Sequence, residues 1–257
     1  MDYICRELAD SCRLVYAWFE AMHTRMDMIL WDRNVEIEAA KALCADIESE
    51  FVRIEGIGSC FIDSSEISLI NSAPAGLAVP VSEEIYDILS RCMRYNVSSK
   101  GYFDVTALQG RNTKTADNIL LEGGRVSRIH EDVKINLSGF LKGYALDRAS
   151  AKVREAGIAN ALLNFGNSSV KALGNHPQGD GWTIENAKGE IFSLKDSCLT
   201  SSGNADRERK HIINPLTGNV ITGRGMVSVV TFSAEEGEVQ STVGFIRNNI
   251  KTEYHEN

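Results

Sequence analysis

The chain has 257 residues, 43% of them apolar and 24% charged, and its 27 Lys+Arg against 35 Asp+Glu leave a formal net charge of −8. That length suits one large domain or two modest ones, and a pI near 5.2 without a basic run excludes a nucleic-acid coat or an anionic-membrane binder. Four prolines and moderate charge exclude a disordered or fibrous chain, and any phosphate ligand of so acidic a protein needs a local positive remedy.

The first twenty residues interleave Asp2, Arg6, Glu7, Asp10 and Arg13 with apolar residues, which is not the pattern of a secretory signal. No apolar run reaches the roughly 18 residues of a transmembrane candidate. The expected location is the cytoplasm, or the periplasm or another extracytoplasmic space if a leader has been removed. The six cysteines, Cys5, Cys12, Cys44, Cys60, Cys92 and Cys198, show no C-x-x-C spacing and read as reduced core residues.

Apolar alternation over 14–31 reads as strand. From Val35 to about Ile54 the apolar residues fall at helical spacing. Ser82 followed by Glu83 and Glu84 reads as an N-cap with acid in the first turn, opening a helix that stops before Gly101. The run 102–106 is strand-like, 119–126 reads as a hairpin around Gly123-Gly124, and 133–137 alternates. Ser138-Gly139 is read as opening a helix ended by Gly157 at C′. Strands are expected at 160–165, 168–173, 181–185, 190–194, 210–214 and 226–233, and a helix over 236–246. Helices lying between groups of antiparallel strands give α+β rather than a doubly wound sheet.

Several constellations carry chemistry. Ser138-Gly139-Phe140-Leu141-Lys142-Gly143-Tyr144 sits at a strand-to-helix junction, where backbone N–H groups and the helix dipole attract an anion and Lys142 adds a full charge; close packing with a solvated lysine is the plainer reading. Glu238 and Thr242, four apart, share a helix face and form a hard-oxygen pair suited to Mg²⁺, as many helices do by chance. His211-Ile212-Ile213-Asn214-Pro215-Leu216-Thr217-Gly218 reads as a strand entering a turn. It is either a simple hairpin or the mouth of a site with His211 and Asn214. Thr200-Ser201-Ser202-Gly203 reads as a Ser-rich turn. No G-x-S-x-G elbow supports a serine hydrolase.

Taken in order, Ser59-Cys60-Phe61-Ile62-Asp63-Ser64-Ser65-Glu66 through Asn71, Gly101-Tyr102-Phe103-Asp104-Val105-Thr106, Lys142-Gly143-Tyr144-Ala145-Leu146-Asp147, Asn164-Phe165-Gly166-Asn167, Ser201-Ser202-Gly203, His211 to Gly218 and Ser241-Thr242 form a series. It resembles the ApbE-type flavin transferases, the FAD:protein FMN transferases, from about Met22 to Thr242. The resemblance implies one domain over 1–257, built as two interleaved α/β subdomains related to the T-fold, with mainly antiparallel sheets and FAD bound between them. It implies transfer of FMN from FAD to a threonine of an acceptor protein with release of AMP, or hydrolysis of FAD to FMN and AMP, with Mg²⁺ on the pyrophosphate. Residue by residue, it implies metal ligation by Glu238, Thr242 and the Leu141 carbonyl. Lys142 and Tyr144 fall at the flavin–phosphate end, with Asp147 orienting their helix. Met22, Ser59, Glu66, Phe103, Asp104 and Thr106 line the dinucleotide, together with Ser202 and Gly203. His211 stands by the reacting phosphate as proton acceptor, with Lys142 and Asn214 as the other catalytic positions. Three positions depart from the family pattern: Asn214 replaces the Asp of H-I-I-D-P, Glu238 replaces a metal Asp, and Gly166-Asn167 replaces a glycine pair. A diverged, catalytically weak binder of FAD or another adenine nucleotide is the alternative that Asn214 and Glu238 raise.

Overall fold

The apolar alternation over 14–31 produces two strands. In a computed structural model of the chain, β2 (Arg13–Ala21) and β3 (Thr24–Asp32) pair antiparallel across the turn Met22-His23, whose φ angles are 48° and 60°. Two left-handed residues in a two-residue loop make a type I′ hairpin, which matches strand twist; it normally uses Asn or Gly. Val15, Ala17, Phe19, Met26, Met28 and Leu30 all turn to one buried face, so the alternation runs on through the break. The structure describes residues 1–8, 12–33, 35–110, 115–204, 212–222 and 224–253, apart from the side chains of 115, 116 and 250–253.

The chain divides into two units, each built from three segments. The first comprises 1–55, 141–201 and 228–238. Its sheet has the strand order β1-β2-β3-β7-β8-β11-β12, with β1 (Asp2–Glu7), β7 (Asn160–Phe165), β8 (Ser169–Leu173), β11 (Ser197–Asn204) and β12 (Gly225–Thr231). The pairs β1–β2, β2–β3, β3–β7, β7–β8 and β8–β11 are antiparallel. Helix α1 (Ile37–Gly58) covers one face, setting Phe51 edge-on to Phe19 and Phe165 at 5.4 and 4.9 Å. Helix α5 (Leu141–Glu155) lies against β7 and β8 and ends, as expected, at Gly157 with φ 74°. On the opposite face the hairpin β9 (Trp182–Glu185) and β10 (Ile191–Leu194) buries Trp182 and Leu194 against Ala172 and Leu199.

The second unit comprises 56–140, 202–227 and 239–257. It holds α2 (Glu66–Ser72), α3 (Glu83–Ser98), the short α4 (Thr115–Asn118) and a sheet ordered β4-β6-β5, with β4 (Val79–Pro80), β5 (Ile119–Glu122) and β6 (Arg125–Arg128). Ser82 caps α3 by accepting the Ile85 N–H, and Ile85, Ile88, Leu89 and Cys92 form the expected buried stripe. The last helix, α6 (Ala234–Glu253), starts in the first unit and ends in the second. The architecture is the expected α+β with antiparallel sheets. Four of the cysteines are buried, two are half-buried, and all six are free thiols.

Five local expectations are corrected. Residues 102–106 and 133–137 alternate but form no strand, because side chains take their backbone groups. The Asn96 amide donates to the Phe103 carbonyl (2.7 Å), the Ser99 hydroxyl accepts the Phe103 N–H (3.0 Å), and both polar atoms of Asn71 bridge the Ile135 backbone (2.7 and 2.8 Å). The buried Arg128 guanidinium takes the Val133 and Glu131 carbonyls (2.7 and 2.8 Å). Residues 200–203 belong to strand β11, where Gly203 lets the Gly225 carbonyl approach so closely that a Cβ would overlap it. The junction helix α5 begins at Leu141, after a turn at 138–140. Of the expected strand 210–214, residues 210 and 211 lie outside the described residues, and 212–214 show only an isolated bridge from Ile213 to Val220.

Candidate functional site

The first unit gathers the junction residues. With α5 starting at Leu141, Lys142 stands in its first turn, half-buried, and its Nζ lies 5.9 Å from the Phe165 ring. Leu141 and Tyr144 are buried. Gly143 serves close packing, since a Cβ there would sit 2.5 Å from the Ala234 carbonyl oxygen, and only glycine lets α5 approach the first turn of α6.

Asp147, two turns into α5, ties that first turn down. Its carboxylate accepts from the Ser233 hydroxyl (2.7 Å) and from the Ala234 and Glu235 N–H groups (2.9 and 3.0 Å). It therefore supplies from another helix the anionic cap that α6 needs. Behind it stands Lys171 of β8, only 5% exposed, whose ammonium lies 3.4 Å from Asp147 and also donates to the Phe232 carbonyl. Asp147 thus orients α6 rather than only its own helix.

One turn further along α6, the buried Glu238 accepts a hydrogen bond from the Ser169 hydroxyl (2.6 Å). Burial pushes its carboxyl up to about 7, while the Ser169 bond and the Lys142 charge pull it down. Gly237 beside it lies against Thr200 and Thr231, with no room for a Cβ.

At one end of the same sheet two left-handed turns stand side by side. Met22 and His23 form the first, and the Met22 N–H donates to the Glu55 carboxylate (3.0 Å). Gly166 (φ 64°) and Asn167 (φ 56°) form the second, with Gly166 packed on Thr24. Asparagine tolerates this region better than other side chains, so Asn167 keeps a backbone shape that a glycine would adopt. Asn164 holds it there, accepting the Asn167 N–H at 3.1 Å.

The second unit gathers other expected residues into three groups. The Ser59 carbonyl accepts from the Ser65 hydroxyl (2.6 Å), Ser65 caps α2, and Glu66 accepts the Ser82 N–H (2.6 Å) at the start of α3. Asp104 accepts from both the N–H and the hydroxyl of Thr106 (2.7 Å each), and Asn118 donates to that hydroxyl (2.8 Å). Phe103 packs with Tyr95 and Phe140. The Ser202 hydroxyl lies 2.7 Å from that of Ser241 and 3.1 Å from that of Thr242, which brings the two C-terminal motifs together, with Gly203 next in the strand. Asn214 is buried: its Oδ1 accepts the Leu216 N–H (3.1 Å) and its carbonyl accepts from Thr217 and Gly218, so it caps the turn. His211 lies outside the described residues.

Sequence reasoning missed Ser169, Lys171 and Glu55. The signal for the first two was polar residues at alternate positions of Ser169-Val170-Lys171-Ala172-Leu173, a strand buried throughout. Among the described residues no cluster of three His, Cys, Asp or Glu side chains forms a metal cage. Among the described residues no helix is long and apolar enough to cross a membrane.

Comparison with known proteins identifies the family and the fold. An FAD:protein FMN transferase of Chlamydia pneumoniae is 26% identical over 201 residues, covering 68% of this chain and 63% of the relative. A protein of the same name from Klebsiella pneumoniae is 24% identical over 243 residues, covering 78% and 69%. The chain therefore spans about two thirds of the length of these relatives. The flavin transferase ApbE of Vibrio cholerae superposes with a TM-score of 0.79 at 19% identity, over 90% of this chain and 86% of that one. The ApbE protein of Thermotoga maritima does so with a TM-score of 0.79 at 23% identity, over 92% and 87%. Both likenesses show a shared fold. The sequence profile of the ApbE family matches residues 22–253, so the chain belongs to the ApbE family.

Proposed function

We propose that the chain is a single flavin-transferase domain over 1–257 that moves FMN from FAD to a threonine of an acceptor protein, releasing AMP, with Mg²⁺ as the required ion. The observation that carries this reading is the buried Glu238 carboxylate, oriented by Ser169 and neighboured by Lys142 at the start of α5. Glu238, the Thr242 hydroxyl and the Leu141 carbonyl are all hard oxygen donors of the kind Mg²⁺ takes, and a carboxyl raised to about 7 by burial is one that a cation would relieve. These residues fit the ion, which when bound neutralises pyrophosphate charge in an otherwise acidic protein.

In this reading Lys142 and the first-turn amides of α5 bind the phosphates electrostatically. Met22, Ser59, Glu66, Phe103, Asp104, Thr106, Tyr144, Ser202 and Gly203 bind the dinucleotide. The threonine Oγ attacks the FMN-side phosphorus, the bond to the AMP oxygen breaks, and the threonine proton passes to His211. Water in place of threonine gives FMN and AMP. The proposed location is the cytoplasm, or an extracytoplasmic space for a protein delivered with a leader.

The test is AMP release on incubating the protein with FAD and Mg²⁺, with and without an acceptor carrying a threonine flavinylation motif. AMP that EDTA suppresses, together with covalent flavin on the acceptor, is the expected result. Flavin bound without AMP would replace this reading with the weak-binder alternative. That alternative is favoured by Asn214, whose Oδ1 accepts the Leu216 N–H and caps a turn at the position where the family pattern expected from the sequence has Asp. Glu238→Ala is expected to abolish AMP release while FAD still binds.

A further inference from the structure

β1 forms one edge of the seven-stranded sheet, with no strand on its outer side among the described residues. Natural sheets guard such edges with charged side chains, Lys above all, with Pro, a bulge or extreme shortness. β1 has no Pro, Lys or bulge, and its guard is its three charges, Asp2, Arg6 and Glu7, which are of both signs. All six residues from Asp2 to Glu7 pair with β2 in unbroken register, and Tyr3 and Ile4 are 51% and 46% exposed. Residues 1–21 precede the region matched by the family profile.

The order of side chains in β1 is self-complementary. When a second copy of the strand runs antiparallel with Ile4 opposite Ile4, Asp2 faces Arg6 at both ends and Tyr3 faces Cys5 twice. Slipping by one residue so that Ile4 faces Cys5 sets Asp2 against Glu7 at both ends. Slipping the other way sets Asp2 against Cys5. Of these three registers, the Ile4-centred one forms two opposite-charge pairs, and cross-strand pairs are what select register. It also joins two apolar rows. Ile4 pairs with Tyr16 and Asp2 with Trp18 on β2, and the Tyr16 and Trp18 rings lie 5.0 Å apart. Tyr16-Ile4-Ile4-Tyr16 then runs unbroken across the two-fold axis.

We propose that β1 is the contact of a two-fold dimer, in which the β1 strands of two copies of this chain pair antiparallel about Ile4 and merge the two sheets. An isologous contact of this kind repeats each charge pair by symmetry. The test is sedimentation velocity on the full chain over a dilution series at low and high salt. The expected result is a monomer–dimer equilibrium that weakens with salt. Arg6→Glu sets carboxylates against Asp2 at both ends and is expected to raise the dissociation constant at least tenfold. The double exchange Asp2→Arg with Arg6→Glu restores dimerisation. Ile4→Cys in a Cys5→Ser background is expected to give a disulfide-linked dimer on oxidation. A wild-type protein that stays monomeric at about 100 μM, far above the roughly micromolar range of specific contacts, overturns the proposal. So does a dimer that Arg6→Glu does not weaken, or a folded double exchange that fails to recover.

Discussion

Replacing Asp147 by alanine tests how α6 is held. The change removes the acceptor of the Ala234 and Glu235 N–H groups and of the Ser233 hydroxyl, which is the loss of a helix cap, about 1 kcal/mol. It also strands Lys171, 5% exposed, with its remaining bond to the Phe232 carbonyl. Breaking a fully buried ion pair costs about 3–5 kcal/mol. The Asp147 side chain is 25% exposed and the pair is 3.4 Å long, so water relieves part of that and about 2 kcal/mol is the fitting share. The sum is about 3 kcal/mol. All three tryptophans, Trp18, Trp31 and Trp182, lie in the first unit, so urea unfolding followed by tryptophan fluorescence reports on the structure that Asp147 braces. Adding Lys171→Met to Asp147→Ala removes the stranded charge and is expected to recover the larger part of the loss, leaving the cap deficit. A loss below about 1 kcal/mol for Asp147→Ala, or no recovery in the double variant, refutes the ion-pair reasoning.

Two further outcomes are expected. In the metal-free protein Glu238 ionises near 7 when folded against an ordinary 4.5, so the folded state holds the extra proton between those values. The contribution of Glu238 to stability is therefore fullest below pH 4.5 and falls by about 3 kcal/mol as pH rises to 7; urea unfolding across that range is expected to show the wild type losing that much relative to Glu238→Gln, and parallel pH profiles for the two contradict it. Gly143→Ala pushes a methyl to 2.5 Å from the Ala234 carbonyl oxygen and 2.8 Å from the Glu235 Cα, both backbone, and is expected to cost about 1–3 kcal/mol and to speed amide exchange at 234–236; unchanged exchange there would show that α5 and α6 separate freely.

Helices α1, α3 and α5 were legible in the sequence because a 3.6-residue stripe, a Ser82 cap and a Gly157 stop are local signals. The runs 102–106 and 133–137 were not, because period-two alternation says which side chains turn inward and nothing about what binds the backbone. Asn71, Asn96, Ser99 and Arg128 decide that, from up to 64 residues away. At the candidate site, the junction singles out Lys142 and the four-residue spacing singles out Glu238 and Thr242, but only the order of motifs gives them expected roles, since a helix face with one acid and one hydroxyl is common. Ser169 and Lys171 were invisible because a polar residue at alternate strand positions ordinarily faces water. Here α5 and α6 cover that face, and the parts played by Asp147, Gly143 and Asn214 in capping and close packing emerge only from the folded arrangement.

The pairing of β3 with β7 joins Met28 to Leu163, residues 135 positions apart. On a ribosome adding 5–20 residues each second, the β1–β2–β3 meander waits roughly 7–27 s before the strand that completes its inner edge is made. For that interval the β3 edge, with Met26, Met28 and Leu30 beside it, is open to any other strand in reach, so the yield of this protein is set by how fast it is made and how crowded its nascent neighbours are, as well as by the stability of the finished sheet.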